Sequence, residues 1–244
     1  MSYANSASDA PARTLVVIPA CNEAENIGGV LQAVNSMGLY DVLVVDDNSL
    51  DTTAAVALEH GAVVLPLLIR LGAWGAAQTG IRYGILHGYE TIVTMDADGQ
   101  HHPADIPLLV KTLKDKQVDV AIGSCTVRGS RARHLAWWFF RRLSGLKLED
   151  LTSGLKVFGG TAARHLVKAD ATIFDYQDLG VMLYLLQNKM RIVECEVSMS
   201  PRNDGKSRIF CSWLMVIKYM MQTLLLCISM RSYSHAGSIE GGGQ

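Results

Sequence analysis

Thr91-Ile92-Val93-Thr94-Met95-Asp96-Ala97-Asp98-Gly99-Gln100-His101 decides how this 244-residue chain is read. Its first five residues are apolar or β-branched and predict a buried strand. The strand stops at two aspartates that flank a small residue. The same figure occurs twice upstream. Leu15-Val16-Val17-Ile18 runs into Pro19-Ala20-Cys21-Asn22-Glu23, and Val42-Leu43-Val44-Val45 runs into Asp46-Asp47-Asn48-Ser49. Helical spacing fills the gaps. Residues 23–37 place Ile27, Val30, Leu31 and Val34 on one face, and residues 51–60 and 73–87 follow the same period. Residues 103–116 open with proline in the first turn. Residues 62–67 and 118–122 supply two more strands. The alternation predicts β-α-β units and a largely parallel sheet covered on both faces, an α/β fold.

The pattern loosens after Gly123. Residues 131–145 read as a basic, aromatic helix and residues 155–158 as a short strand. Residues 177–188 read as a helix, 191–197 as a strand and 201–207 as a polar loop. Residues 211–230 are apolar but contain Lys218 and Gln222. At 100° per residue Cys211, Lys218, Gln222 and Ser229 share one narrow stripe. Such a helix suits a membrane interface. Burial in a core or oligomer contact is the second reading and a true span the third, disfavoured by the central lysine.

Composition narrows the class. Half of the chain (49%) is hydrophobic and only 18% is charged, against about 25% in average soluble proteins. That excludes intrinsic disorder. The net charge of −1 leaves no basic excess for a general nucleic-acid binder. It hides a division. Residues 1–127 carry 6 Lys and Arg against 14 Asp and Glu, a net −8, while residues 128–244 carry 16 against 9, a net +7. The five cysteines are widely spaced without a C-x-x-C pair, which argues against a disulfide framework or zinc site and for a reducing compartment. Residues 1–13 lack an apolar core of the signal-peptide kind, and the Gly-rich stretch 237–244 is expected to be flexible.

In an open parallel sheet, ligands collect outside the carboxyl ends of the strands. Here three polar clusters fall at such ends. Asp96 and Asp98 can offer oxygens to a hard divalent cation, Mg²⁺ or Mn²⁺, which keeps positions open for substrate phosphates. Gln100 adds a carbonyl oxygen and His101 an imidazole; a capped turn ahead of residue 103 is the plainer account. Asp46 and Asp47 can accept hydrogen bonds from a base or ribose, or can cap the helix that begins near Asp51. In Leu71-Gly72-Ala73-Trp74-Gly75-Ala76 the glycines admit either a ligand or close helix–sheet packing. No G-x-x-x-x-G-K-[ST] occurs, no G-x-G-x-x-G follows the first strand, and no nucleophile elbow is present. P-loop, dinucleotide and acyl-transfer chemistries are thereby disfavoured.

The ordered set Ile18-Pro19-Ala20-Cys21-Asn22-Glu23, Val45-Asp46-Asp47-Asn48-Ser49 and Met95 to His101 resembles a family 2 glycosyltransferase of the GT-A (Rossmann-like) fold. Asp150-Leu151-Thr152-Ser153-Gly154 and Arg202-Asn203-Asp204-Gly205-Lys206-Ser207-Arg208 resemble later motifs of the polyprenyl-phosphate (dolichol-phosphate mannose synthase-like) sugar transferases. The likeness spans about residues 14–208. It implies a glycosyltransferase domain over residues 13–208, with residues 1–12 a flexible lead, 209–231 an amphipathic membrane-interface helix and 232–244 a flexible tail. It also implies inverting transfer from a GDP- or UDP-linked sugar, with Mg²⁺ or Mn²⁺ on the diphosphate. The implied acceptor is a polyprenyl phosphate, at the cytoplasmic face of a membrane. Position by position, Pro19, Asn22 and Glu23 would line the nucleotide, with Asp46 and Asp47 near base or ribose and Asp96 on the nucleoside side. Asp98 and Gln100, with Asp96, would hold the metal. Arg202 and Ser207 would belong to a loop over the diphosphate.

Departures from the family bear on the acceptor. Cys21 stands where an aromatic is usual. Gly123-Ser124-Cys125 replaces Gly-Ser-Arg, so an arginine for the acceptor phosphate is missing there. Arg128, Arg131, Arg133 or Arg142 could replace it, with Ser153 beside them. Arg131, Arg133, Arg141 and Arg142 interleave with Trp137, Trp138, Phe139 and Phe140, a pattern that fits a phosphate site beside a membrane or an ordinary amphipathic helix. The multi-span domain of some relatives has no counterpart in the sequence.

The implied chemistry is direct displacement at the anomeric carbon. A lipid phosphate is already anionic and needs little from a base. A sugar hydroxyl acceptor, as in a cell-envelope glycan, needs a carboxylate to take its proton. The resemblance points to Asp178 for that, and Asp175 is a nearby acid. A catalytically silent nucleotide-sugar scaffold is the non-enzyme reading, and the intact Asp96/Asp98 pair speaks against it.

Overall fold

Seven strands form one sheet because the apolar runs have no other way to satisfy their backbone groups away from water. They are β1 (Thr14–Ala20), β2 (Asp41–Asp46), β3 (Val63–Pro66), β4 (Thr91–Thr94), β5 (Val120–Ser124), β6 (Lys156–Gly159) and β7 (Ile192–Glu196). Among the described residues the α-helices with described ends are α1 (Ala24–Asn35), α2 (Thr53–Glu59), α3 (Gly72–Leu86), α4 (Ile106–Asp115), α5 (Gly160–Leu166) and α6 (Leu179–Gln187). This computed structural model describes residues 13–125, 138, 141–142, 148–150, 153–172, 179–200, 221 and 224–225.

The sheet order is β3-β2-β1-β4-β6-β5-β7. Every pairing is parallel except those of β6, which runs antiparallel to β4 and β5. The expected parallel sheet thus carries one reversed strand. The chain leaves β5 at the carboxyl end of the sheet and re-enters β6 from that same end, so β6 descends. As a result Ser153-Gly154-Leu155 lie where the other strands deliver their polar termini.

Side chains alternate along each strand into two cores, as a sheet covered on both faces requires. Leu15, Val17, Leu43, Val45, Ile92 and Phe158 pack with Trp74 and Ile81 of α3, Ala162 and Leu166 of α5, and Val181 and Leu185 of α6. Val16, Ile18, Val44, Val93 and Val157 pack with Ile27 and Leu31 of α1, Ala57 of α2, and Ile106 and Leu109 of α4. Helix α5 was not anticipated. Its seven residues open with glycine and give no helical period, and its burial of Ala162, Ala163 and Leu166 is what makes it a helix. The expected strands, and the expected helices over 23–37, 51–60, 73–87, 103–116 and 177–188, occur with ends shifted by a few residues; most of 131–145 and 211–230 and all of 201–207 lie outside the described residues.

Pro19 lies in a central strand, where its missing N–H would normally break a ladder. β4 pairs with β1 only as far as Val17↔Thr94, so Pro19 is paired on the β2 side alone. At the opposite end of the sheet Arg13 donates to Asp41 Oδ2 (3.0 Å) and Tyr89 Oη donates to the same atom (2.8 Å). Those two bonds hold the Asp41 carboxyl below its ordinary range, and burial with the Asp41 bond pushes the Tyr89 phenol up to about 12.

Of the basic aromatic stretch, Trp138, Arg141 and Arg142 are described, all helical, with Trp138 and Arg142 exposed. Of residues 211–230, Met221, Leu224 and Leu225 are described and helical. Among the described residues no helix is long and apolar enough to cross a membrane.

Candidate active site

The three polar clusters meet at the carboxyl end of β1, β2 and β4. The first two are knitted together. Asn22 and Asn48 both adopt left-handed backbone (φ 56° and 55°), a conformation asparagine tolerates better than other side-chain-bearing residues. Leu50 N–H donates to Asn22 Oδ1 (2.8 Å), and Asn22 N–H donates to Ser49 Oγ (3.0 Å). Ser49 Oγ–H in turn donates to Asp46 Oδ1. Glu23 is buried, with its N–H on Thr53 Oγ1 (2.8 Å) and its carboxylate taking Asn26 Nδ2 (2.7 Å). Here Asn22 and Glu23 visibly shape the loop that the sequence assigned to a nucleotide.

Asp47 has a different task from capping the helix near Asp51. Its oxygens accept the N–H groups of Leu71 (2.6 Å) and Gly72 (2.9 Å), so it caps α3. Gly72 has φ +80°, which only glycine adopts at ease. A Cβ here would meet nothing within 4 Å, so the backbone angle and not close helix–sheet packing requires this glycine. Asp51 caps α2, accepting from Thr53 N–H at 2.9 Å. Asp46 is buried and stays at the loop crossing.

Cys21 lies beside these carboxylates. Burial is the main cause that pushes its thiol up, Asp47, Asp46 and Asp51 add to the rise, and Arg70 opposes it. A raised thiol holds less thiolate at neutral pH, and the thiolate is the nucleophile. Iodoacetamide is therefore expected to label Cys21 slowly at pH 7. The rate should climb only above the ordinary thiol value of about 8.5. Peptide mapping by mass spectrometry reads this, and fast labelling at pH 7 would contradict the assignment.

The third cluster is held from two sides. Gly99 takes φ +74°, and Gln100 N–H donates to Asp98 Oδ1 (3.1 Å). Ser200 N–H donates to Gln100 O (2.9 Å), Gln100 Nε2 donates to Ser200 O (3.4 Å), and His101 forms an antiparallel bridge with Met199. With the amide nitrogen so committed, the oxygen is the atom Gln100 can offer a cation. His101 is buried, its Nε2 3.8 Å from Asp96 Oδ2, and the Asp96 side chain is 45% exposed.

The other side is made by Asp150 and by Ser153-Gly154 ahead of β6. Glu194 of β7 accepts Glu149 N–H (2.7 Å) and Asp150 N–H (2.9 Å), and burial raises its carboxyl. Asp150, itself buried, accepts Cys125 N–H (3.3 Å). Gly154 lies directly against Asp96. A Cβ at Gly154 would fall inside contact distance of all three carboxyl atoms, 2.6 Å from Oδ1 at the farthest. Ser153, expected beside an acceptor phosphate, is only 1% exposed, and its hydroxyl pairs with Leu155 N–H (3.2 Å). In this structure it belongs to the floor of the site, because β6 begins directly beneath it.

Among the described residues no three His, Cys, Asp or Glu side chains gather as a protein-only metal cage. Two carboxylates and an amide oxygen at a partly open surface instead match a hard cation that takes its remaining ligands from phosphates and water. Asp178, Arg202, Ser207, Arg128, Arg131 and Arg133, with Asp175, lie outside the described residues.

Residues 15–172 match the family described as glycosyl transferase family 2. The chain belongs to that family. The polyprenol monophosphomannose synthase of Mycolicibacterium smegmatis is 30% identical over 218 residues, covering 81% of each chain. The undecaprenyl-phosphate mannosyltransferase of Micrococcus luteus is 30% identical over 217 residues, 81% of this chain and 87% of that one. Among solved structures, glucosyl-3-phosphoglycerate synthase from Mycobacterium tuberculosis, in complex with Mn²⁺, UDP-glucose and phosphoglyceric acid, superposes with a TM-score of 0.70 at 20% identity. It covers 91% of this chain and 80% of its own. The family 2 chain is therefore a glycosyltransferase, and its sheet is of the GT-A kind that the resemblance implied.

Proposed function

We propose that this glycosyltransferase moves a sugar from a nucleotide-diphosphate sugar to a polyprenyl phosphate, with inversion, at the cytoplasmic surface of a membrane. The observation that carries the reading is the Asp96 carboxyl seated against Gly154, in a chain two of whose relatives over four-fifths of its length are a polyprenol monophosphomannose synthase and an undecaprenyl-phosphate mannosyltransferase. Mannose from GDP or UDP is the first sugar to test.

In this reading Pro19, Asn22, Glu23 and Asp46 form the nucleoside side of the site, and Asp47 keeps the α3 loop in place behind them. Asp98, Gln100 and Asp96 are the residues that would hold Mg²⁺ or Mn²⁺. When bound, the cation supplies positive charge to the diphosphate as it departs. Arg202 and Ser207 act on the same charge from their loop. The acceptor phosphate oxygen attacks the anomeric carbon from the face opposite the diphosphate. That oxygen is already anionic, so no base is required. Arg142 and its neighbours Arg128, Arg131 and Arg133 are assigned to the acceptor phosphate, and residues 209–231 to the lipid interface.

One observation favours a second acceptor class. Residue 125, just past β5, is a cysteine whose N–H donates to Asp150, so this position itself brings no guanidinium. A glycan hydroxyl would need no such cation, and Asp178 would then take the proton. A panel of nucleotide sugars with Mn²⁺ or Mg²⁺, short polyprenyl phosphates and free glycans, read by mass spectrometry, separates the two. Sugar-phosphate-lipid product is expected. Transfer to glycans alone would reject the lipid reading.

A further inference from the structure

Lys156 is 1% exposed, one of the largest fully buried side chains in the described protein. Lysine is rarely placed so, because its ammonium loses its hydration. It is the first residue of β6, in register with Thr94 of β4 on one side and Ile122 of β5 on the other. Its Nζ donates to the carbonyl of Ser153. Thr94 Oγ1 donates to the next carbonyl, that of Gly154 (3.4 Å). Two side chains rising from the sheet therefore hold the two successive carbonyls of the turn whose Gly154 backs the Asp96 carboxyl. Leu155 O fixes the following peptide by accepting Gly123 N–H (2.9 Å).

We propose that Lys156 is a positioning residue for Asp96, holding the Ser153–Gly154 turn at the distance that sets the carboxylate. Its hydrogen bond to the Ser153 carbonyl reaches the turn, and the turn reaches the acid through the contact of Gly154 with the Asp96 carboxyl. A buried hydrogen bond of this kind is stronger and more directional than one in water. Residues that orient metal ligands from behind typically change metal affinity by roughly 10- to 100-fold when removed. The inference rests on the reading that Asp96 and Asp98 bind a metal-nucleotide.

The test is Mn²⁺ binding by the full chain in the presence of UDP, read from the EPR signal of free Mn²⁺ without turnover. Lys156→Met, Lys156→Arg and Trp74→Phe are compared with the unaltered protein, and thermal melts are recorded alongside. Trp74 also spends a buried donor on a carbonyl, Ala171 O at 2.7 Å, and supplies the purely structural comparison. Lys156→Met is expected to weaken Mn²⁺ binding about tenfold or more. Lys156→Arg, which keeps a donor, recovers most of the loss, and Trp74→Phe lowers the melting temperature without changing Mn²⁺ affinity. Unchanged affinity in a folded Lys156→Met protein overturns the proposal. If that variant does not fold, Thr94→Val decides, since it removes the neighbouring donor at nearly constant shape, and unchanged affinity there overturns it equally. Absence of Mn²⁺ binding in the unaltered protein with UDP and equally with GDP would instead remove the functional reading, and this inference with it.

Discussion

Asp98→Ala is expected to lower sugar transfer by at least about 100- to 1000-fold while the fold stays intact, the range seen when one preorganised charge-stabilising group is lost. The side chain is partly exposed at the tip of a loop, and its Oδ1 takes the N–H of Gln100 (3.1 Å). Losing that one bond leaves the rest of the loop's support, because Gln100 and His101 are still fastened to Ser200 and Met199. On the proposed reading, what is lost is a hard oxygen donor for the cation on the diphosphate. A cation with only Asp96 and an amide oxygen from the protein would bind weakly and be placed poorly. Steady-state rates across a Mn²⁺ titration, with melting curves as the check on folding, read the effect. Undiminished transfer by the variant in the presence of a chelator would remove the metal from the mechanism.

The strand runs and their polar ends could be read from residues 15–122 because each buried strand there is a continuous apolar block. The two faces of the sheet are equally covered, so no alternation was needed to find them. What stayed hidden was tertiary. Asp47 looks, in sequence, like a cap for the helix four residues on. It caps α3, whose first residue is 25 positions away, because β3 returns the chain to the same edge. Ser153 reads as an exposed motif serine, and the descent of β6 buries it. Lys156 does carry a signal in the sequence, a lone charge inside Leu155-Lys156-Val157-Phe158. A charge in such a run calls for a partner. Helix α5 left no periodic trace, since small residues meet α3 without a wide apolar stripe.

Gly154→Ala is expected to cost about 100-fold in catalytic efficiency, the loss that a misplacement of about 1 Å produces in a preorganised site. The methyl group would enter the space of the Asp96 carboxyl. One of the two partners must yield. Gly154 is held through Ser153 O and its own carbonyl from the sheet, and Leu155 through Gly123. Asp96 follows directly on β4, where Met95 N–H is bonded to Val17 O (3.1 Å), so its backbone is fixed as well. The compliant coordinate is the Asp96 side chain, which rotates away from the position it shares with Asp98. Overpacking of this kind also lowers stability by about 1–3 kcal/mol. A double-mutant cycle with Asp96→Ala separates the clash from a general disturbance of the turn. Once the carboxyl is gone, adding Gly154→Ala has little left to displace, so its stability cost should fall well below its cost in the unaltered protein. Strict additivity of the two changes would mean that the glycine is required by its own backbone, and Asp96 would lose the wall on which its placement has been argued.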